Sequence, residues 1–348
     1  YQKIIKEYTL EPDGRIVYHY VKEQKLQTYR AFHSLYGETF IVRDTTRQEL
    51  KINEVFTLMA DGKKIPTPAN AFNDVLPDYA ANAPAYNALR EMVITHTGLE
   101  RGATIHLDYQ LTTRKGILPA LAGYEILAEK EPVLRYEIHL RVPSGIKLNY
   151  HLMNSHQKPI ITSEGSFQRY AWVFDNVPAL SAEEYQPSVS QAPSLLFTTA
   201  GKMEDVLNWW AAQPAFGFQI NEAMKATVNR LKEENKDRTL QVFRMQELVT
   251  DEIRHYPVPA NAALYSVRTP EACWSSAGAT TSEKAVLLTS LLLYAGFDAQ
   301  VACIAKSELA GLKMGIPDIL EDFCVRVDMK EQGIWYLSVT EKNSINLR

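Results

Sequence analysis

With 348 residues, 46% of them hydrophobic and 22% charged, the chain is long enough for two hydrophobic cores and too apolar to be disordered. A formal net charge of −4, with Lys and Arg interspersed among the acids, leaves no basic field to gather phosphates, so nucleic acid is not expected as a partner. Three cysteines, Cys273, Cys303 and Cys324, without CxxC spacing give no disulfide framework and no thiolate zinc site, and no metal or cofactor is indicated.

The chain opens on Tyr1 with neither an initiator methionine nor a leader, which suits a mature exported protein or a trimmed piece equally. The first half is patterned with period two. "TIHLDYQL" puts Ile105, Leu107, Tyr109 and Leu111 on one face, and "YEIHLRV" does the same with Tyr136, Ile138, Leu140 and Val142, against Glu137, His139 and Arg141. Turn signals at Asp13-Gly14, Asp61-Gly62, Pro143-Ser144-Gly145 and Asn154-Ser155 predict hairpins. The stretch 67–87, "TPANAFNDVLPDYAANAPAYN", is too rich in Pro, Ala and Asn for a strand and reads as a long ordered loop. These features predict an all-β antiparallel sandwich over 1–185. Residues 186–202, within a polar, Pro-bearing region, form the expected linker.

From residue 203 the period becomes helical. "MEDVLNWWAAQ", "QINEAMKATVNRLKEEN" and "TLQVFRMQELVTDEIRHY" predict helices, the last running through Val242, Met245, Val249 and Ile253 to Tyr256. "TTSEKAVLLTSLLLYAG" predicts another, opened by a Thr280-x-x-Glu283 capping box and closed by Gly296 at C′. Its apolar run, Ala285 to Phe297, falls short of the roughly 20 residues that cross a bilayer. Three strands follow, "DAQVACI", "DFCVRVDM" and "IWYLSV", giving an α+β unit over 203–348. The chain stops after "TEKNSINLR" without a closing element, which predicts further chain downstream.

The second half, through "VTDEIRHY", "YSVRTPEACWSSAGATTSEKAVLLTSLLLYAGFDAQV" and "DFCVRVDMKEQGIWYLSVT", resembles the transglutaminase-like superfamily, which shares its core with papain-type cysteine proteases. The first half, through "EPDGRIVYHY", "INEVFTLMADGKKI", "REMVITHTGLERG" and "LRYEIHLRVPSGIKLNY", resembles a bacterial domain of unknown function that precedes such domains in exported envelope proteins. The resemblance implies a periplasmic or outer-membrane-associated location. It also implies a Cys at the start of the core helix, a His on the next strand and an Asp on the strand after. A helix N-terminus stabilises a thiolate, an imidazole takes its proton, and a carboxylate orients the imidazole.

Laid on this chain, the pattern puts the nucleophile position at Thr281, the histidine position at Asp322 and the aspartate position at Ser338. The last histidine is His255, so no strand after the core helix can supply an imidazole. Loss of one member of a related triad can cost on the order of 10⁴ to 10⁶ in kcat, so a degenerate triad implies a non-catalytic protein. The expected function is binding of a peptide or carbohydrate ligand, or assembly with an envelope protein, through a groove around Trp274, Trp335 and His255. The alternative is a cysteine-type protease or amidase using Cys273, with His255 as its base, although Cys273 reads as lying in the loop before the helix. Asp318, Glu321 and Asp322 could gather a cation with Asp328 or Asp298, but read better as a solvated junction. His106 and His139 read as surface residues, and Trp209-Trp210 as helix packing or a ligand platform.

Overall fold

The computed structural model describes residues 1–180 and 192–342, and its contacts divide the chain into two compact units. The first comprises Tyr1–Pro77, Ala88–Met203 and Met314–Ile316; the second comprises Asp78–Asn87, Glu204–Lys313 and Pro317 onward.

The first unit is built from strands β1 (Lys3–Leu10), β2 (Ile16–Lys25), β3 (Glu38–Asp44), β4 (Gln48–Leu58), β5 (Lys64–Pro66), β6 (Phe72–Val75) and β7 (Leu89–Thr95). The series continues with β8 (Thr104–Thr113), β9 (Ala122–Ile126), β10 (Val133–Pro143), β11 (Asn149–Met153), β12 (Ile160–Glu164), β13 (Phe167–Val177) and β14 (Ser194–Thr198). Eight of them form one sheet in the order β12-β13-β10-β1-β2-β8-β4-β5, and two three-stranded sheets, β11-β14-β9 and β3-β7-β6, complete the unit.

The period-two pattern explains how the sheets stack. Ile4, Ile138, Leu140 and Trp172 point from one face of the large sheet into a core with Leu195 and Phe197 of β14. On the same face, Leu107, Tyr109 and Tyr20 pack with Ile41 of β3 and Ile94 of β7. The opposite face carries hydrogen-bonded polar groups, including His19 with Asp108 at 2.8 Å. His139 lies on that face but is buried, not on the surface as its position in the alternation suggested. Its ring nitrogens are 3.5 Å from Glu7 and 3.0 Å from Glu137, and the Arg169 guanidinium lies against the ring at 3.0 Å. His106 is largely covered by stacking on Phe56.

Four expectations for this half are corrected. The sheet is mixed, because β1 pairs in parallel with β10 while its other neighbour β2 is antiparallel. Phe72–Val75, inside the stretch read as a loop, is an edge strand paired to β7: the prolines lie outside it, and Asn73 within it pairs with Val93. The expected linker 186–202 lies outside the described residues up to 191, and its remainder contains β14, all of whose residues are buried. Neither Pro143–Gly145 nor Asn154-Ser155 makes a hairpin, for β10 and β12 both pair with β13 and β11 pairs with β14.

The second unit holds helices α1 (Met203–Ala211), α2 (Glu222–Glu234), α3 (Arg238–Glu247), α4 (Pro270–Ser276), α5 (Thr281–Tyr294) and α6 (Ser307–Ala310). Its strands are the short parallel pair β15 (Arg254–His255) and β16 (Gly278–Ala279) and the antiparallel sheet β17 (Asp298–Ala305), β18 (Leu320–Asp328) and β19 (Ile334–Leu337). Helix α5 is the hub. Its capping box is complete, and Gly296, at φ +87°, closes a Schellman turn in which Phe297 N–H donates to Leu292 and Gly296 N–H to Leu293. From Ser282 to Leu292 every residue is buried, polar members included, so the helix is covered on all sides. The helix predicted over 239–256 stops early: α3 ends at Glu247 and a π-helical turn, Leu248–Glu252, carries the chain into β15.

Phe197 is fully buried, and its ring occupies the space over Gly123 of β9, where an added Cβ would lie 2.6 Å from Cζ. Phe197→Ala is expected to lower the unfolding free energy by about 3–5 kcal/mol, measured by chemical denaturation, because the rigid sheets cannot close over the void.

Candidate functional site

The first turn of α5 faces a cavity of about 360 Å³ whose lining includes His255, Tyr265, Thr281, Ser282, Asp318 and Asp322. Thr280 is the N-cap: its hydroxyl accepts from Glu283 N–H at 3.5 Å, and the Glu283 carboxylate accepts from Thr280 N–H at 2.9 Å. Thr281 and Ser282 are the first two helical residues, so their N–H groups have no intrahelical acceptor and point outward with the positive end of the helix dipole.

The anchor of this turn is Glu283, which is 0% exposed. The Arg268 side chain donates to both of its oxygens, at 2.8 and 2.9 Å, and Arg268 N–H donates at 3.1 Å. The Tyr86 hydroxyl adds a bond of 2.7 Å. Arg268 also donates to the Gly278 carbonyl at 2.6 Å and to the Ser276 hydroxyl at 3.1 Å. A buried ion pair this well bonded offsets the cost of desolvating both charges, whereas one deprived of a partner would not. Neither Arg268 nor Tyr86 was singled out from the sequence, because no local spacing links them to Glu283.

His255 reaches the site through the strand pair. Its backbone lies opposite Ala279, held by Arg254 N–H donating to Ala277 and Tyr256 N–H to Ala279, both at 2.8 Å. That register brings His255 Nε2 within 3.2 Å of the Thr281 hydroxyl. An imidazole therefore does stand at the helix start, approaching from the segment before α5 and not from a following strand. Burial, and next the Lys284 ammonium, hold its pKa below the ordinary imidazole value, while Asp322 pulls the other way. Lys284 is itself buried, with Nζ 3.4 Å from the Thr250 carbonyl, and burial pushes its pKa down to about 8.

The remaining sequence-singled residues divide. Asp322 lines the cavity, exposed, with its carboxylate accepting from Phe323 N–H at 2.8 Å. Ser338 does not line it; its hydroxyl accepts from Thr340 and Glu341 N–H groups in a turn after β19. Trp335 is also elsewhere, stacked on Phe243 at 5.7 Å, and Trp274 is absent from the lining, so neither expected aromatic wall forms. Cys273 is not in a loop but in α4, fully buried, and burial drives its pKa up to about 12. His255 meets Thr281 and not this thiol. Cys303 and Cys324 sit in β17 and β18, each raised to about 11 by burial. Asp318 accepts from the Tyr265 hydroxyl and Glu321 pairs with Lys306 at 3.2 Å, while Asp298 and Asp328 lie outside the cavity lining. Among the described residues no group of three or more His, Cys, Asp or Glu is placed to hold a metal ion. Trp210 is buried and donates to the Tyr265 carbonyl at 3.0 Å, so it acts in helix packing.

A model of a domain of unknown function, DUF3857, matches residues 12–181. The crystal structure of a "putative protease" from Parabacteroides distasonis ATCC 8503 is similar over 99% of this chain and 71% of its own, at 31% identity and a TM-score of 0.90. The periplasmic domain of TgpA from Pseudomonas aeruginosa aligns over 66% of this chain and 77% of its own, at 14% identity and a TM-score of 0.27, too slight a likeness to build on. No curated protein matches the chain. Among the described residues no helix is long and apolar enough to cross a membrane.

Two measurements check the geometry of the site. Arg268→Met should cost about 3–5 kcal/mol in denaturant unfolding by stranding the Glu283 carboxylate, and adding Glu283→Gln should recover part of that loss. In an NMR titration His255 should take up its proton below the ordinary imidazole range, move up in Lys284→Met and down further in Asp322→Asn. A folded pKa below the unfolded one means the unfolded chain binds the proton first, so this group subtracts stability as pH falls through the ordinary imidazole pKa.

Proposed function

This chain belongs to the same family as the Parabacteroides distasonis protein, and on that premise we propose that its second unit is a transglutaminase-like module that binds a ligand and does not cleave it. The supporting observation is the occupant of the helix start: a threonine hydroxyl stands at the dipole end of α5, and every thiol is elsewhere, Cys273 and Cys324 buried and Cys303 half-buried, each raised in pKa by desolvation. A hydroxyl is a far weaker nucleophile than a thiolate at neutral pH unless a positioned base activates it. What the turn retains is recognition chemistry. The free N–H groups of Thr281 and Ser282 receive a carboxylate or carbonyl of a peptide-like ligand, in a cavity that Asp318 and Asp322 also line. The triad positions Thr281, Asp322 and Ser338 are in this reading degenerate, and the module serves in binding or assembly at the bacterial cell envelope, after export.

A second reading has its own support in the 3.2 Å contact between His255 and Thr281, which is the first half of a hydroxyl-nucleophile arrangement. Against it, His255 forms no hydrogen bond with Asp322 among the described residues, so nothing fixes the imidazole's tautomer as a third member would.

One set of variants separates the two. Thr281→Pro removes one N–H and the hydroxyl while leaving a residue the first helical position accepts, and Thr280 is already extended, at φ −73° and ψ 171°, as a residue before proline must be. Binding predicts that short peptides with a free carboxyl terminus shift the Thr281 and Ser282 amide resonances of the unaltered protein, that Thr281→Pro weakens this about tenfold, and that no ester or peptide is turned over. Turnover of p-nitrophenyl acetate abolished by both Thr281→Ala and His255→Ala would overturn it in favour of the hydrolase. Rapid iodoacetamide labelling of Cys273 at mildly acidic pH would overturn it in favour of a thiol enzyme.

A further inference from the structure

The first unit contains a second cavity, of about 370 Å³, formed where the two small sheets part above the large one. Its floor is a ladder of tyrosines on neighbouring strands. Tyr20 of β2 lies opposite Tyr109 of β8, with ring centroids 5.5 Å apart, and Tyr18 stacks along β2 on Tyr20 at 6.2 Å. One wall is β3, the edge strand of its sheet, with Phe40 56% exposed at the rim. The other wall is the segment after β9, which contributes Glu129.

Lys22 and Glu129 feel each other's charge across this cavity, and Glu129 also that of Lys6, but among the described residues Lys22 and Glu129 do not meet in an ion pair. Lys6 is satisfied, paired with Glu125 of β9 at 2.7 Å, and the Tyr8 hydroxyl donates to the same carboxylate. Glu38 accepts from the Thr95 hydroxyl at 3.1 Å. Lys22 has a single long hydrogen bond, 3.5 Å to the Thr39 hydroxyl, and Glu129 has no side-chain hydrogen bond; among the described residues neither makes an ion pair. The nearest imidazole, His96, is buried with Nε2 2.8 Å from Thr39, and burial holds its pKa down to about 4, so it is neutral and compensates nothing. Burial likewise pushes Lys22 down to about 8 and Glu129 above the usual carboxylate range. An ammonium and a carboxylate left apart in one partly desolvated cavity are costly separately and are complementary to a ligand bearing both opposite charges.

We propose that this cavity binds a small zwitterion of the amino-acid class, its carboxylate on Lys22, its ammonium on Glu129 and its apolar side chain on the Tyr20–Tyr109 floor beneath Phe40. The site belongs to the β-rich unit and is independent of the Thr281 cleft.

The probe is L-phenylalanine, compared with phenylalaninamide, which lacks the carboxylate, and N-acetylphenylalanine, which lacks the ammonium. In the full chain, L-phenylalanine should shift amide resonances of residues 18–22 and 39–40, and each analogue should bind about tenfold or more weakly. Lys22→Met should erase the preference over phenylalaninamide and keep the preference over N-acetylphenylalanine; Glu129→Gln should do the reverse. Should Lys22→Met fail to fold by circular dichroism, the one-sided effect of Glu129→Gln carries the test. Thr281→Pro should leave all three affinities unchanged, so failure here and failure of the cleft are read separately. Equal binding of the three compounds, tighter binding of uncharged methyl glucoside, or no shift in these residues at saturating L-phenylalanine would overturn the proposal.

Discussion

The buried pair between Glu283 and Arg268 is the constraint from which the second unit's geometry follows. A carboxylate at zero exposure is tolerable only while its acceptor sites are filled, and here Thr280, Arg268 and Tyr86 fill them from separate segments of chain. The same guanidinium holds the Gly278 carbonyl, so the strand before α5 cannot shift without stranding a charge. Gly278 must be glycine for a related reason: a Cβ there would fall 2.1 Å from the Tyr256 hydroxyl, whose ring lies over that backbone. Ion pair, glycine and tyrosine together fix β15 against β16 and so fix where His255 meets Thr281.

The same scaffold fixes what surrounds the first helical residue. The cap, the dipole and the neighbouring imidazole are all of the kind that would sharpen a thiol, yet the atom they surround is a hydroxyl oxygen. The thiol nearest in sequence, Cys273, is turned inward in α4 with Sγ 3.9 Å from the Arg268 carbonyl, a position suited to packing and unsuited to ionisation. Lys284, buried one turn above, adds a positive field that discourages protonation of His255.

Features set by neighbouring residues were legible in the sequence. The capping box of α5, its Gly296 terminus and the alternation of Tyr136, Ile138, Leu140 and Val142 depend on offsets of a few positions, and the structure has them all. Features set by tertiary context were not. The π-turn at Leu248–Glu252 looks like uninterrupted helix in the periodicity of Val242, Met245, Val249 and Ile253, so His255 read as a helix end and its approach to Thr281 was hidden. Ser194–Thr198 has polar and Pro-bearing neighbours that mask a fully buried strand. Trp335 stands in β19 but stacks on Phe243, and the strand ends at Leu337, so Ser338 falls in a local turn; no sequence spacing encodes either outcome.

The parallel seam between β1 and β10 has a consequence for how the molecule comes into being. During synthesis from the amino terminus, β1 can zip at once to β2 through the Asp13-Gly14 turn, but its other flank must wait for residues 133–143. Until then the nascent hairpin bears an unfilled border along β1, beside Ile4 and Tyr8, which invites mispairing with any passing strand. Completion of the large sheet is therefore a late, long-range closure, and the speed of that step, more than the strength of any contact within it, sets how long the half-made chain stays vulnerable.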